Sequence, residues 1–120
     1  MKRFLHSLHN AFRGINHAFL TERNIRIHLL MFVLVLIAAY ILDISKIEWL
    51  LILVISAMNF SMELSNTAIE RLADKVSPEY DIQIGLVKDV MAGAVLVSSI
   101  FSVIIGIIIF YDPLFKFIQR

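Results

Sequence analysis

Four polar side chains recur at helical spacing within an apolar stretch near the middle of the chain. At about 100° per residue, Glu63, Asn66, Glu70 and Asp74 project from one face of a single helix. Acidic groups in or beside hydrocarbon are costly, and they usually face a bundle interior, a partner charge or a metal. We call these four residues the acidic stripe and treat them as candidates for chemistry.

The two glutamates of the stripe are spaced for different tasks. Glu63 and Glu70 lie about 10 Å apart along the helix axis, which is too far for both to bind one ion directly. Glu63 lies deeper and could accept a proton from a hydroxyl at the level of the lipid headgroups. Glu70, together with Glu22 at the membrane interface, would form a Mg²⁺ site that water and nucleotide phosphate oxygens complete.

Lys88 and Asp89 precede the next apolar run and are candidate partners of the stripe. Lys88 could bind phosphate, or it could simply extend its charge to the interface while its stem stays in lipid. Its position beside Asp89 and an acidic stripe favours phosphate binding. The stripe has an alternative role too, which is hydrogen bonding between neighbouring helices of an oligomer.

Composition indicates a membrane protein of one domain, residues 1–120. Hydrophobic residues make up 59% of the chain and the mean hydropathy is +0.82, more than a small soluble core can bury. The net charge of +1 argues against a nucleic-acid partner. The chain has no glycine-rich phosphate loop, so a nucleotide site would have to be built from helix side chains.

Hydrophobic periodicity predicts an all-α fold with four helices. Residues 1–20 form an amphipathic helix suited to the membrane surface, and membrane helices are expected at about 25–42, 48–75 and 82–111. Ser77-Pro78 should separate the last two, with Ser77 or Asp81 as the cap of the final helix. Asp112-Pro113 is expected to end that helix.

The distribution of Lys and Arg predicts the orientation. Five lie before Leu29, one in the turn at 43–48 and three between Arg71 and Lys88. The positive-inside rule then places the N-terminus and the 71–88 region in the cytoplasm, where the stripe faces ATP. Three helices are few for enclosing such a polar site, so we expect a homo-oligomer with closed cyclic symmetry.

The chain resembles the bacterial diacylglycerol kinase family of small membrane lipid kinases. The resemblance rests on Glu-Leu-Ser-Asn-Thr-Ala-Ile-Glu at 63–70, on Asp74, and on Lys88-Asp89 followed by Ala-Gly-Ala-Val-Leu at 92–96. Within the family, Arg-Gly-Ile at 13–15, Thr-Glu-Arg-Asn at 21–24, Ile-Glu-Trp at 47–49 and Gly93 resemble the undecaprenol kinase branch.

This resemblance implies a homotrimeric, multi-pass kinase of the bacterial cell membrane that uses ATP and Mg²⁺ and has composite sites between subunits. Glu63 would be the general base, Glu22 and Glu70 the magnesium-associated carboxylates, and Asn66 and Asp74 supporting residues. The lipid substrate would contact Glu63 and Ala92. The implied nucleotide-binding residues are Lys88, Asp89, Glu70, Glu22, Glu79, Tyr80, Asp81, Arg3 and Asn10, of which Asp81 replaces the histidine of some members.

The expected reaction is transfer of the γ-phosphate of ATP to a lipid alcohol, with undecaprenol as the acceptor. Diacylglycerol is the alternative acceptor within the same class. A non-enzymatic helical bundle or small pore lined by the stripe is the alternative from another class. A pore would have no need of Lys88-Asp89 or Glu22 beside the stripe, whereas phosphoryl transfer needs a phosphate-binding cation and magnesium ligands together.

Overall fold

The protein is an all-α membrane protein, as the sequence predicts. A computed structural model describes residues 1–119, which form α1 (Lys2–Thr21), α2 (Arg23–Ile41), α3 (Lys46–Val76) and α4 (Ile82–Ile118). The helices α2, α3 and α4 are long and apolar enough to cross a membrane. The helix α1 is amphipathic, with Phe4, Leu5 and Phe12 exposed on its apolar side, and no acidic residue precedes Glu22.

A single extended residue separates α1 from α2. Glu22 leaves the helical region, with φ −103° and ψ 120°. The guanidinium of Arg26 closes the end of α1, because its Nη1 donates to the carbonyl oxygens of Phe19 at 3.2 Å and Leu20 at 2.9 Å. A cation at this position also interacts favourably with the negative end of the helix dipole.

The turn between α2 and α3 is closed by a capping box. Ser45 Oγ accepts a hydrogen bond from the backbone N–H of Glu48 at 3.3 Å, and Glu48 Oε2 accepts one from the backbone N–H of Ser45 at 2.7 Å. These bonds satisfy two N–H groups that a bare helix end would leave unpaired. The core of the molecule lies beside this turn, where Ala39, Ile44, Ile52 and Ile109 are buried together.

The helices α3 and α4 pack as an antiparallel pair joined by a short connection around Pro78. Asp81 caps α4, since its Oδ1 accepts from the backbone N–H groups of Gln83 at 2.8 Å and Ile84 at 3.0 Å. Of the two caps considered from the sequence, Asp81 is therefore the one used. The Ser77 hydroxyl instead donates to the carbonyl oxygen of Glu79 at 2.9 Å.

The expectation that Asp112-Pro113 ends the last helix is wrong, because α4 continues to Ile118 with Pro113 inside it. Proline removes its own N–H donor but not those of the residues that follow, and Gln119 N still donates to the Phe115 carbonyl at 3.3 Å. In an apolar environment an unpaired backbone group is costly, so continuing the helix is favoured over opening it.

Candidate active site

The pairing of α2 with α3 shows how deep Glu63 lies. An ion pair joins Glu22 to Arg71 at one end, and the rings of Phe32 and Phe60 meet edge to face, with centroids 5.9 Å apart, nearer the middle. In this antiparallel register Glu63 is level with about Leu29, roughly one turn or 5 Å inside the level of Arg26. Glu63 thus lies just within the apolar segment.

Burial decreases along the acidic stripe from the membrane outward. Glu63 is 3% exposed and Asn66 is 8% exposed, Glu70 is half-buried, and Asp74 is exposed. The same helix face therefore presents one carboxylate that is shielded from water and others that are accessible to it. A deep proton acceptor and a more exposed ion-binding end both fit this gradient.

Arg71 is a functional candidate that the sequence analysis missed. Its Nη2 lies 2.9 Å from Glu22 Oε1 and also donates to Thr21 Oγ1. Because Arg71 follows Glu70 directly, this contact places Glu22 beside the turn of α3 that carries Glu70. The sequence signal that could have identified Arg71 is a cation directly after Glu70 of the acidic stripe. The break between α1 and α2 contains Glu22, a carboxylate that could pair with it.

At the outer end of the stripe, Lys88 forms an ion pair with Asp74. This contact confirms that Lys88 is a partner of the acidic stripe, and it brings Asp89 to the same end of the α3–α4 pair. The side chains are 36% exposed for Lys88 and 68% exposed for Asp74. An ion pair this exposed contributes little to stability, so Lys88 can exchange Asp74 for another anion at small cost.

A resident metal and a nucleotide-borne metal place different demands on this site. Among residues 1–119, no group of three or more His, Asp or Glu side chains could hold a metal ion alone. Glu22 and Glu70 supply two carboxylates on adjoining elements. Mg²⁺ commonly binds through one or two carboxylates plus water and substrate phosphates, so the donor set fits a Mg²⁺ ion that arrives with a nucleotide.

The remaining predicted nucleotide contacts lie on other elements. Tyr80 is 92% exposed in the α3–α4 connection beside exposed Glu79, while Asp81 Oδ1 is engaged in capping α4. Arg3 and Asn10 are exposed in the N-terminal half of α1 and take part in neither ion pair. Their proposed contacts with nucleotide remain predictions.

Packing of α3 on α4 also places the predicted lipid contact. Lys88 pairs with Asp74, and Asn59 Nδ2 donates to Ser102 Oγ further into the membrane. Between these two contacts, the antiparallel register sets Ala92 about level with Glu70, where it is exposed. Ala92 therefore lies about two turns, roughly 10 Å, outward of Glu63 along the helix axes, and its contact with the lipid substrate remains a prediction.

Asn59 is a second residue that the sequence analysis missed. It precedes Glu63 by one helical turn, about 40° around the helix, so the polar stripe extends deeper than its four named members. Asn59 Oδ1 and Asn66 Oδ1 are both buried and have no hydrogen-bond partner among the described residues. Glu63 is therefore flanked on both sides by amide oxygens that can accept a hydrogen bond.

Comparison with known proteins gives consistent results. The family model for prokaryotic diacylglycerol kinase matches residues 9–110. The undecaprenol kinase of Bacillus subtilis (strain 168) is 39% identical over 114 residues, which are 95% of this chain and 93% of that protein. The diacylglycerol kinase of Synechocystis sp. is 37% identical over 109 residues, which are 90% of this chain and 62% of that protein.

Proposed function

The chain belongs to the prokaryotic diacylglycerol kinase family and is a membrane-bound lipid kinase, and we propose that its acceptor is undecaprenol. The observation that carries the choice of acceptor is similarity to an undecaprenol kinase over nearly the full length of both chains. Family membership also favours a kinase over the non-enzymatic bundle or pore. ATP is the co-substrate that this class of reaction requires.

In the proposed reaction, Glu63 accepts the proton of the lipid hydroxyl. The hydroxyl oxygen then forms a bond to the γ-phosphorus of ATP, while the bond from that phosphorus to the bridging oxygen of ADP breaks. The Glu63 side chain is buried, with the residue only 3% exposed. This burial keeps competing water away from the base. Its depth, about one turn inside Arg26, would let it reach a hydroxyl presented at the level of the lipid headgroups.

The water-accessible end of the site binds the nucleotide. Glu22 and Glu70 would hold Mg²⁺, and Arg71 keeps the Glu22 carboxylate beside α3 through the contact at 2.9 Å. The ion, when bound, neutralises charge on the phosphate oxygens during transfer. Lys88 exchanges its contact with Asp74 for a phosphate oxygen, and Asp89 lies beside it on α4.

A homotrimer with composite sites would account for predicted nucleotide-binding residues that lie apart from the others within one chain. Arg3 and Asn10 are exposed on α1, and a neighbouring subunit could present them to the nucleotide bound at Lys88. Large apolar side chains are also exposed along the membrane helices, among them Leu50, Val54, Val103 and Ile107. Lipid and neighbouring subunits would share the task of covering them.

The proposal is tested by giving the purified protein undecaprenol and diacylglycerol in parallel, at equal mole fractions in micelles, with labelled ATP and Mg²⁺. We expect phosphate transfer to undecaprenol at the higher kcat/KM. The Glu63→Gln protein serves as the blank for contaminating kinases. A preference for diacylglycerol would assign the alternative acceptor, and ATP consumption that is independent of added lipid would contradict lipid kinase activity.

A further inference from the structure

A cavity of about 330 Å³ lies between α2, α3 and α4, and His28 lines its outer end. Every other residue that lines the cavity is apolar or carries a neutral hydroxyl or amide group. His28 is half-buried and lies two residues, about 3 Å along the axis, inside Arg26. An ionisable side chain within a membrane helix is costly and is therefore a candidate for function.

His28 and Glu63 lie at the same depth on neighbouring helices. Phe32 of α2 contacts Phe60 of α3 edge to face, with the ring centroids 5.9 Å apart. His28 lies one helical turn before Phe32. Glu63 lies one turn after Phe60. In the antiparallel pair, both side chains are therefore one turn outward of the same aromatic contact.

Each turnover of the proposed reaction leaves a proton on Glu63. This proton must leave before Glu63 can accept the proton of the next lipid hydroxyl. Direct release to cytoplasmic water is hindered, because Glu63 is 3% exposed. A histidine suits the task of proton carrier, because imidazole gains and loses its charge between about pH 5 and 8. His28 also lies close to the level of Arg26, where the apolar segment begins.

The space between the two side chains can hold water. His28 and Ser99 both line the cavity, and Ser99 lies one turn outward of Ser102, whose Oγ accepts from Asn59 Nδ2. Glu63 lies one turn outward of Asn59, so Ser99 is level with Glu63 as well. The imidazole and the Ser99 hydroxyl supply polar partners for a water molecule in a cavity of this size. Neither ion pair of residues 1–119 includes Glu63, so a bridging water would complete the path.

Other ionisable groups on the packed helices lie further outward or are exposed. They are Glu70 of α3, Lys88 and Asp89 of α4, and Arg13 and His17 of α1. Glu70 lies about 10 Å outward of Glu63, and Asp89 lies about 15 Å outward of the level of Glu63. Glu63 is thus the carboxylate that the described residues place at the depth of His28.

We propose that His28 restores Glu63 after each phosphate transfer by accepting its proton through a water molecule in the cavity. The O–H bond of protonated Glu63 breaks and an N–H bond forms on the neutral imidazole. That N–H bond then breaks, and the proton passes to water at the level of Arg26. The inference rests on the proposed lipid kinase function. His28 acts through Glu63, which makes it a positioning residue.

The test separates the first turnover from those that follow. His28→Gln keeps a polar side chain but cannot titrate, and Glu63 begins the first turnover ionised. Rapid-quench kinetics with labelled ATP and a polyprenol should therefore show a first phosphate transfer at the parent's rate. Steady-state kcat should fall about tenfold, which is less than the 10²- to 10⁴-fold cost of losing the base itself.

Two further variants control for packing and identify the proton carrier. His28→Ala leaves room for a small base, so added imidazole at constant pH should raise its steady-state kcat while leaving the KM for ATP and the parent's kcat unchanged. His17→Gln makes the same substitution as His28→Gln at an exposed histidine of α1, and both kinetic phases should match the parent. Because His28→Gln and His28→Ala differ in size, either one decides the question if the other fails to fold.

The outcomes separate this inference from the proposed function. If the parent phosphorylates a lipid alcohol and the His28 variants keep its steady-state kcat, the proton transfer is wrong and the kinase assignment stands. If the first turnover slows as much as the steady state and imidazole restores nothing, His28 serves packing or substrate binding and the inference is overturned. If the parent phosphorylates no lipid alcohol, the proposed function itself fails.

Discussion

At the scale of single residues, burial assigns different tasks to chemically identical side chains. Glu63 is buried just inside the apolar segment, whereas Glu70 is half-buried and adjoins the Arg71–Glu22 ion pair. A shielded carboxylate is suited to taking a proton from a lipid alcohol, and a hydrated one to sharing a metal ion with phosphate. The two glutamates should therefore give different kinetic defects when they are neutralised.

Glu63→Gln is predicted to nearly abolish turnover and to leave nucleotide binding intact. The amide keeps the size of the side chain but cannot accept the proton, and loss of a positioned base costs about 10²- to 10⁴-fold in rate. Turnover is measured with labelled ATP and nucleotide affinity by equilibrium binding. Turnover within threefold of the parent would remove Glu63 from the mechanism.

Glu70→Gln is predicted to raise the Mg²⁺ concentration needed for half-maximal activity. The variant loses one of two proposed carboxylate ligands while the buried base is untouched. A titration of activity with Mg²⁺ at saturating ATP measures the effect. An unchanged magnesium dependence would give Glu70 a purely structural role.

Lys88→Met is predicted to lower ATP affinity or turnover at least tenfold, which is about 1.4 kcal/mol. The substitution keeps most of the apolar stem and removes the cation that would bind phosphate. Asp74→Asn is the matched control, because it breaks the same ion pair and leaves the Lys88 cation in place. Equal losses in both variants would mean that the ion pair matters and the phosphate contact does not.

At the scale of elements, hydrophobic periodicity in the sequence predicts the helices well. The helix ends are predicted from local signals such as charged residues and proline. The break at Glu22 and the connection around Pro78 lie where charged residues or proline interrupt apolar periodicity. The helix α4 continues beyond Pro113 because the surrounding residues keep their own backbone hydrogen bonds. A prediction that considers only the proline does not take those bonds into account. Asn59 and Arg71 were missed for another reason, since their importance comes from partners 43 and 49 residues away in the sequence.

Ser45→Ala is predicted to destabilise the protein by about 1 kcal/mol, because it removes the side-chain acceptor of the α3 capping box. The midpoint of unfolding in a detergent titration measures this loss. Ser61→Ala, which removes an exposed hydroxyl from the same helix, should shift the midpoint far less. A similar shift in both variants would show that the cap adds nothing to stability.

At the scale of the whole molecule, the antiparallel helices carry every residue of the acidic stripe to one side of the membrane. Glu22, Asp74 and Lys88 lie at that end, and the Ser45 turn lies at the other. The positive-inside rule predicts that the first end lies in the cytoplasm. The orientation is therefore a separate test of access to ATP, independent of any kinetic assay.

The chain lacks cysteine, so single cysteines can report the orientation of these two ends. Lys75→Cys should react with an impermeant maleimide only from the cytoplasmic side, and Lys46→Cys only from outside. Both positions are exposed lysines at the ends of α3, which makes them a matched pair, and both leave the Ser45 cap intact. The reverse labelling pattern would place the stripe away from ATP.

The unequal lengths of the membrane helices make the enzyme sensitive to hydrophobic mismatch. With 19 residues, α2 extends about 28 Å, whereas α3, with 31 residues, extends about 46 Å. The shorter helix has no surplus to accommodate a thicker bilayer, and its start is tied to the site through the ion pair between Glu22 and Arg71. Thick bilayers would hence carry the lipid hydroxyls outward past Glu63, so turnover in vesicles should fall as acyl chains lengthen, while affinity for ATP stays constant.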